Sequence, residues 1–276
     1  MIPASFDYAR AGSAEEAVSL LTQHGDEAKI LAGGHSLLPL MKLRLASPSV
    51  LIDVGRVRDL SYISDAGDHV AVGALTRHHD VQTSSLLQAS VPLISYVAGL
   101  VGDPQVRHRG TIGGSVAHGD SASDLPAAAL ALGATFVIQG PSGTRTVAAT
   151  DFFKGFLETD LGPDELLTEI RLPKMNSAGW SYQKFTRRAQ DWAIVGVAAV
   201  GAAAGGGVAL VNMASIPVRA SAVEGLLASG ASATDAAAAA ATDLDPPSDL
   251  NASAEYRSHL ATVLVRRALE EVATRQ

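Results

Sequence analysis

Two double-glycine motifs constrain this chain more than any other feature of its sequence. The first, Ala32-Gly33-Gly34-His35-Ser36-Leu37, follows a short apolar segment, and the second is Gly110-Thr111-Ile112-Gly113-Gly114-Ser115. Glycine lacks a Cβ and readily adopts positive φ, so consecutive amides in such motifs can converge on an anion. The hydroxyls of Ser36, Thr111 and Ser115 add hydrogen-bond donors. One glycine pair alone is typical of a tight turn, but two such motifs favour a diphosphate-binding site.

Several other site signatures are missing from the sequence. Neither glycine motif is followed by the Gly-Lys-Ser/Thr of a P-loop, and neither matches the GxGxxG dinucleotide fingerprint. No GxSxG elbow or HExxH pair is present. The densest histidine cluster is His78-His79-Asp80, but neighbouring helical side chains point about 100° apart, which disfavours a shared metal ion. We therefore expect structural or ligand-facing histidines and no metal site.

The composition excludes other functions. The 276 residues include 21 basic and 28 acidic side chains, a net charge of −7, which argues against nucleic acid as a partner. A hydrophobic content of 47% can fill a large core, and the length predicts about two domains. Cysteine is absent. The chain alone can therefore hold no disulfide, cysteine nucleophile or iron–sulfur cluster.

The order of patterns along the chain predicts an α+β protein. A helix is expected over Ala14–His24 and strands over Val50–Val54 and His69–Leu75. The glycine-rich segment 102–122 predicts a long loop. The segment Lys174–Gly179 is the best linker candidate, which places a division near residue 175.

One uncharged stretch, residues 193–211, resembles a membrane span in length. It is mostly alanine, valine and glycine, and a triple glycine interrupts it, so it predicts two strands, Ala193–Ala203 and Val208–Ala214. The opening MIPASFDYAR does not have the pattern of a signal peptide. We expect a cytoplasmic protein, and peripheral association with the inner face of the membrane stays open.

Three segments together resemble one known family. They are AGGHSLLPLMKLRLA, GDPQVRHRGTIGGSVAHGDSASDLPA and YQKFTRRAQDWAIVGVA. They are similar to the FAD-binding medium subunit of molybdenum hydroxylases, a family that includes xanthine dehydrogenase, aldehyde oxidase and aerobic carbon monoxide dehydrogenase. The resemblance covers essentially the whole chain, and the opening MIPASFDY is typical of the carbon monoxide branch.

The resemblance implies a particular arrangement of domains. Residues 1–175 would form an FAD-binding domain of the PCMH type, with two subdomains divided near residue 56. Residues 178–276 would form a C-terminal α+β domain of a sheet with helices.

The resemblance also implies a site for non-covalent FAD. Amides of both glycine motifs would hold the diphosphate, Asp124 would accept hydrogen bonds from ribityl or ribose hydroxyls, and Lys184 would suit the anionic cofactor. Trp192 stands where relatives carry a tyrosine near the flavin ring, and Ser115 where many carry asparagine. No catalytic residue is implied. The implied FAD-binding residues are Ala32, Gly33, Gly34, His35, Ser36, Leu37, Thr111, Ile112, Gly113, Gly114, Ser115, Asp124, Leu167, Lys184 and Trp192.

The implied function is electron transfer within an aerobic, molybdenum-dependent carbon monoxide dehydrogenase, from iron–sulfur clusters through FAD to a quinone-linked acceptor. The molybdenum–pterin and two [2Fe–2S] clusters would belong to a large and a small partner subunit, in a dimer of heterotrimers. One alternative is the FAD subunit of an enzyme acting on a purine, aldehyde or N-heterocycle, and another is a non-catalytic dinucleotide-binding or assembly module. In either glycine motif, bulkier residues are expected to weaken FAD binding more than the fold.

Overall fold

The computed structural model describes residues 2–201 and 205–275 and has an α+β architecture. Its first sheet is small and parallel. The strand order is β1-β3-β2. The predicted helix over Ala14–His24 is confirmed, and it begins where the Ser13 hydroxyl accepts the Glu16 amide at 3.1 Å. The elements are β1 (Asp7–Arg10), α1 (Ala14–His24), β2 (Ala28–Leu31), α2 (Leu37–Leu43) and β3 (Val50–Asp53).

The second sheet is antiparallel and has the order β4-β5-β10-β6-β7. Residues far apart in the sequence meet in it, because β10 inserts between β5 and β6. Its strands are β4 (Ile63–Asp65), β5 (His69–Gly73), β6 (Thr135–Gly140), β7 (Gly143–Ala148) and β10 (Leu166–Pro173). A short helix α9 (Ala149–Phe152) and the strand pair β8 (Phe153–Gly155) and β9 (Glu158–Thr159) precede β10.

Six helices connect β5 to β6, and two of them contradict the loop predicted for residues 102–122. Asp103 caps one of these helices through its carboxylate, with Pro104 in the first turn, and Thr111 caps the next. The two capping residues indicate the starts of these helices, whereas the neighbouring glycines favour a loop in a sequence-based prediction. The helices are α3 (His78–Thr83), α4 (Ser85–Ser90), α5 (Pro92–Gly99), α6 (Pro104–Arg109), α7 (Ile112–His118) and α8 (Asp124–Ala131).

The third sheet, of order β11-β12-β13-β14, is covered on both faces. Ala198 and Ala209 pack toward α8, whereas Val197 and Leu210 pack toward the last helix. This double burial explains why residues 193–211 carry no charge. The elements are β11 (Trp180–Phe185), β12 (Val195–Val200), β13 (Gly207–Val211), β14 (Val218–Arg219), α10 (Ser221–Ala228), α11 (Ala233–Ala237) and α12 (Ala254–Thr274).

The two strands predicted in this region are therefore found, although the part of the first at residues 202–203 lies outside the described residues. Within residues 2–201 and 205–275, no helix has both the length and the apolarity required to cross a membrane.

Helix α8 joins the second sheet to the third. All eight of its residues are buried, and most are alanine or leucine. A Cβ on Gly207 of β13 would lie 2.3 Å from the Ala131 carbonyl oxygen, so the glycine permits a very close approach of helix and strand. The first residue of this helix, Asp124, is thereby held at the boundary between the two sheets.

Candidate functional site

The first glycine motif connects the end of β2 to the start of α2. Among the described residues, the amides of residues 33–37 have no hydrogen-bond acceptor within the chain. Gly34 adopts a φ of 78°, a conformation that side chains disfavour. Five consecutive unpaired amides around such a turn form a concave donor surface suited to an anion.

The second motif lies directly against the first. A Cβ on Gly33 would be 2.4 Å from the Arg109 carbonyl oxygen and 3.0 Å from Gly110 Cα. The absence of a side chain at Gly33 is therefore explained by a protein neighbour. The structure brings the two motifs together, as a shared ligand site requires.

The second motif differs from the first, because four consecutive amides, those of residues 112–115, already have acceptors within the chain. Thr111 caps α7. Gly113 packs closely against Ala74, the residue that follows β5, and a Cβ on this glycine would lie 2.6 Å from the Ala74 carbonyl oxygen. The bonds run from Ile112 N–H to Thr76 O at 3.0 Å, from Gly113 N–H to Ala74 O at 2.9 Å, from Gly114 N–H to Thr111 Oγ at 3.1 Å, and from Ser115 N–H to Thr111 O at 3.1 Å. In the free chain, the amides of residues 112–115 are therefore bonded within the protein, whereas those of residues 33–37 are not.

Positive charge surrounds the paired motifs although the whole chain is acidic. The Arg77 guanidinium donates to the Arg109 carbonyl oxygen. Arg107 donates to the carbonyl oxygens of Val101 and Gly102 at 3.2 and 3.1 Å. The exposed His35 adds a group that is cationic when protonated. Such a field favours a polyanionic ligand at the first motif.

The sequence places His78 in a histidine cluster but does not assign it to the glycine motifs, which it contacts in the structure. It is 3% exposed, and its Nε2 lies 3.3 Å from Ser115 Oγ. Burial lowers the pKa of His78 to about 4, and the charges of His35, Arg77 and Arg107 act in the same direction. The imidazole is therefore neutral at pH 7.

Asp124 lies in a buried group of polar side chains that joins α8 to β11. One oxygen accepts the Tyr182 hydroxyl at 2.6 Å, and the other accepts Lys184 Nζ at 2.7 Å. The ammonium also donates to the Leu100 carbonyl oxygen at 3.1 Å. Burial raises the pKa of the Asp124 carboxyl, against the effect of Lys184. The carboxylate that the resemblance assigns to cofactor hydroxyls thus has two protein donors.

Comparison with known proteins gives consistent matches over the whole chain. Residues 4–175 match the FAD binding domain in molybdopterin dehydrogenase, and residues 180–272 match the CO dehydrogenase flavoprotein C-terminal domain. The chain belongs to this FAD-binding family of molybdopterin dehydrogenases. It is an FAD-binding oxidoreductase subunit, which sets aside the interpretation as a non-catalytic module.

Individual relatives agree with the family match. The carbon monoxide dehydrogenase medium chain of Hydrogenophaga pseudoflava is 44% identical, over 98% of this chain and 97% of the relative. A solved carbon monoxide dehydrogenase of that organism superposes with a TM-score of 0.96 and covers 100% of this chain and 99% of the other. Quinoline 2-oxidoreductase of Pseudomonas putida 86 has a TM-score of 0.90 and 33% identity, with 100% and 99% coverage.

Two further residues that the family resemblance points to are Leu167, whose strand packs against α7 of the second motif, and Trp192. Leu167 is buried in β10, where it contributes to the core. Trp192 follows β11 and is 58% exposed. The neighbouring Arg188 and Asp191 form an exposed ion pair at 3.1 Å.

We expect Gly113→Ala to destabilise the fold by about 1–3 kcal/mol, since the added Cβ overpacks against Ala74. Gly225→Ala is the matched control, because nothing lies within 4 Å of its Cβ position and the helical site should gain about 0.5–1 kcal/mol. Urea unfolding of both variants measures the difference. A Gly113→Ala protein of normal stability that binds FAD poorly would instead restore the original expectation for this glycine.

Removal of Asp124 should be costly because Lys184 would remain buried without a counter-charge. We expect Asp124→Ala to lower the free energy of unfolding by roughly 3–5 kcal/mol. Asp191→Ala breaks an exposed pair and should leave stability nearly unchanged. Circular dichroism during urea unfolding compares the two, and similar small losses would contradict a stabilising role for the buried pair.

Proposed function

We propose that this chain is the FAD-carrying electron-transfer subunit of an aerobic, molybdenum-dependent carbon monoxide dehydrogenase. The observation that carries the binding part is the run of five unpaired amides at residues 33–37 beside a cluster of cationic groups. The carbon monoxide branch is supported by 44% identity to a medium chain of that enzyme over nearly the full length of both proteins. When bound, FAD supplies electron transfer between iron–sulfur clusters and a quinone-linked acceptor.

The proposed roles of the residues follow from their positions. Amides of the first motif bind the diphosphate, and the hydroxyls of Ser36, Thr111 and Ser115 add donors. Lys184 contributes positive charge, and its ion pair with Asp124 holds β11 against α8. The proposed contacts are Ala32, Gly33, Gly34, His35, Ser36, Leu37, Thr111, Ile112, Gly113, Gly114, Ser115, Asp124, Leu167, Lys184 and Trp192.

We also propose a division into domains at residues 1–175 and 178–276, with the first divided near residue 56. The limits of the three sheets support it, since β3 ends at Asp53, β10 at Pro173, and β11 begins at Trp180.

The proposed assembly is a dimer of heterotrimers with a small iron–sulfur subunit and a large molybdenum subunit. The absence of cysteine supports this arrangement, because clusters that need thiolate ligands must then lie in other chains. We propose a cytoplasmic location with peripheral contact to the inner face of the membrane, where quinones dissolve. A second candidate, an enzyme that oxidises an N-heterocycle, is supported by the similarity to quinoline 2-oxidoreductase.

The cofactor should be bound without a covalent link. Cysteine, one of the usual attachment residues, is absent, and the family resemblance implies a dissociable flavin. Acid precipitation of the FAD-loaded chain is expected to release all yellow colour into the supernatant. Colour that stays with the pellet would contradict the proposal.

The chain should depend on its partners for reduction. Reconstituted with FAD but alone, it is expected to show no bleaching of flavin absorbance under carbon monoxide, because the proposal places molybdenum in the large partner subunit. The full complex should bleach and pass electrons to a quinone. Reduction of the isolated chain by carbon monoxide would overturn the assignment. A complex that ignores carbon monoxide but oxidises a heterocycle would support the second candidate.

A further inference from the structure

His78 lies beneath the junction of the two glycine motifs. It is the first residue of α3, and its amide donates to the Gly110 carbonyl oxygen at 3.0 Å. A Cβ on Gly110 would lie 2.6 Å from His78 Cδ2. Gly110 therefore leaves room for the imidazole, and the ring is fixed in place by the backbone above it. Because Gly110 also touches Gly33, the ring belongs to the same packed unit as the first motif.

The two ring nitrogens of His78 have different surroundings. Nε2 contacts Ser115 Oγ at 3.3 Å, whereas Nδ1 is buried and has no partner among the described residues. Burial and the nearby His35, Arg77 and Arg107 keep the ring neutral, with a pKa of about 4. One nitrogen therefore carries a hydrogen and the other a lone pair.

The position of that hydrogen follows from the cost of burial. A buried N–H without an acceptor is rarer in proteins than a buried acceptor without a donor. The hydrogen therefore lies on Nε2, where Ser115 Oγ accepts it. Because the hydroxyl oxygen receives this bond, its own proton points away from the imidazole. Within the described chain, that proton has no acceptor.

We propose that His78 is a positioning residue that donates from Nε2 to Ser115 Oγ and thereby directs the Ser115 hydroxyl proton toward an anionic oxygen of the FAD diphosphate. This inference rests on the proposed function, since it takes FAD as the ligand. The serine hydroxyl, oriented by the imidazole, adds a directed donor to a second motif whose amides at residues 112–115 are already bonded.

The test combines affinity and spectroscopy on the full chain. FAD is titrated by flavin fluorescence into wild type, Ser115→Ala, His78→Leu, and the double variant. We expect each single change to weaken binding about tenfold, as loss of one hydrogen bond to a charged group would. The double variant should also lose about tenfold, because both changes remove the same directed bond. His78→Gln is the matched control, since its amide N–H can replace Nε2–H and should retain most of the affinity.

A separate measurement does not depend on the folding of any variant. Nitrogen-15 NMR of wild-type protein should show the His78 hydrogen on Nε2 at pH 7. A hydrogen on Nδ1, or a charged ring, would overturn the inference, and so would multiplicative losses of about a hundredfold in the double variant. Failure of wild-type protein to bind FAD would contradict the proposed function itself, whereas FAD binding with the wrong tautomer would contradict only the role of His78.

Discussion

The backbone contact between Gly33 and Arg109–Gly110 determines how the rest of the site is arranged. It brings a turn from the first sheet against the helices of the second at a separation that no side chain would permit. Gly113 makes a similarly close contact with Ala74, which also leaves no room for a side chain on the glycine. Amides of α7 fasten that packing, whereas the amides of residues 33–37 have no acceptor among the described residues. In the function proposed above, structural and ligand-binding tasks are divided between two motifs of similar sequence.

A buried ion pair connects α8 to the third sheet. Asp124 begins a helix that is packed on the third sheet, and Lys184 comes from the strand at that sheet's edge. Their bond, with that of Tyr182, fixes the orientation of the two units where an apolar contact alone would let them slide. Removal of either charge would leave the other uncompensated in the interior. Breaking the pair is therefore expected to lower the free energy of unfolding, even if the intact pair contributes little to it.

Local patterns were sufficient to predict much of the fold. The Ser13 cap and the apolar face of α1 identify that helix to the residue, and the uncharged residues 193–211 predict the two strands found as β12 and β13. The helices α6 and α7 are harder to predict because glycines flank α6 and lie within α7, although Asp103 and Thr111 are good caps.

The details of the site required the structure. The two motifs could be identified from glycine and hydroxyl content, but which of their amides are free depends on contacts with Ala74 and Thr76 that no local pattern contains. The Asp124–Lys184 pair spans 60 positions of the sequence, and the contact of His78 with Ser115 spans 37. His78 is buried because it packs against Gly110, and the sequence alone does not predict this contact either.

Amide hydrogen exchange of the full chain with and without FAD tests the central claim most directly. If the free amides of the first motif hold the diphosphate, residues 33–37 should exchange rapidly in the free chain and become protected when FAD binds. Residues 112–115, whose amides are bonded within the chain, should be protected in both states. Protection gained at residues 112–115 with none at residues 33–37 would contradict the account.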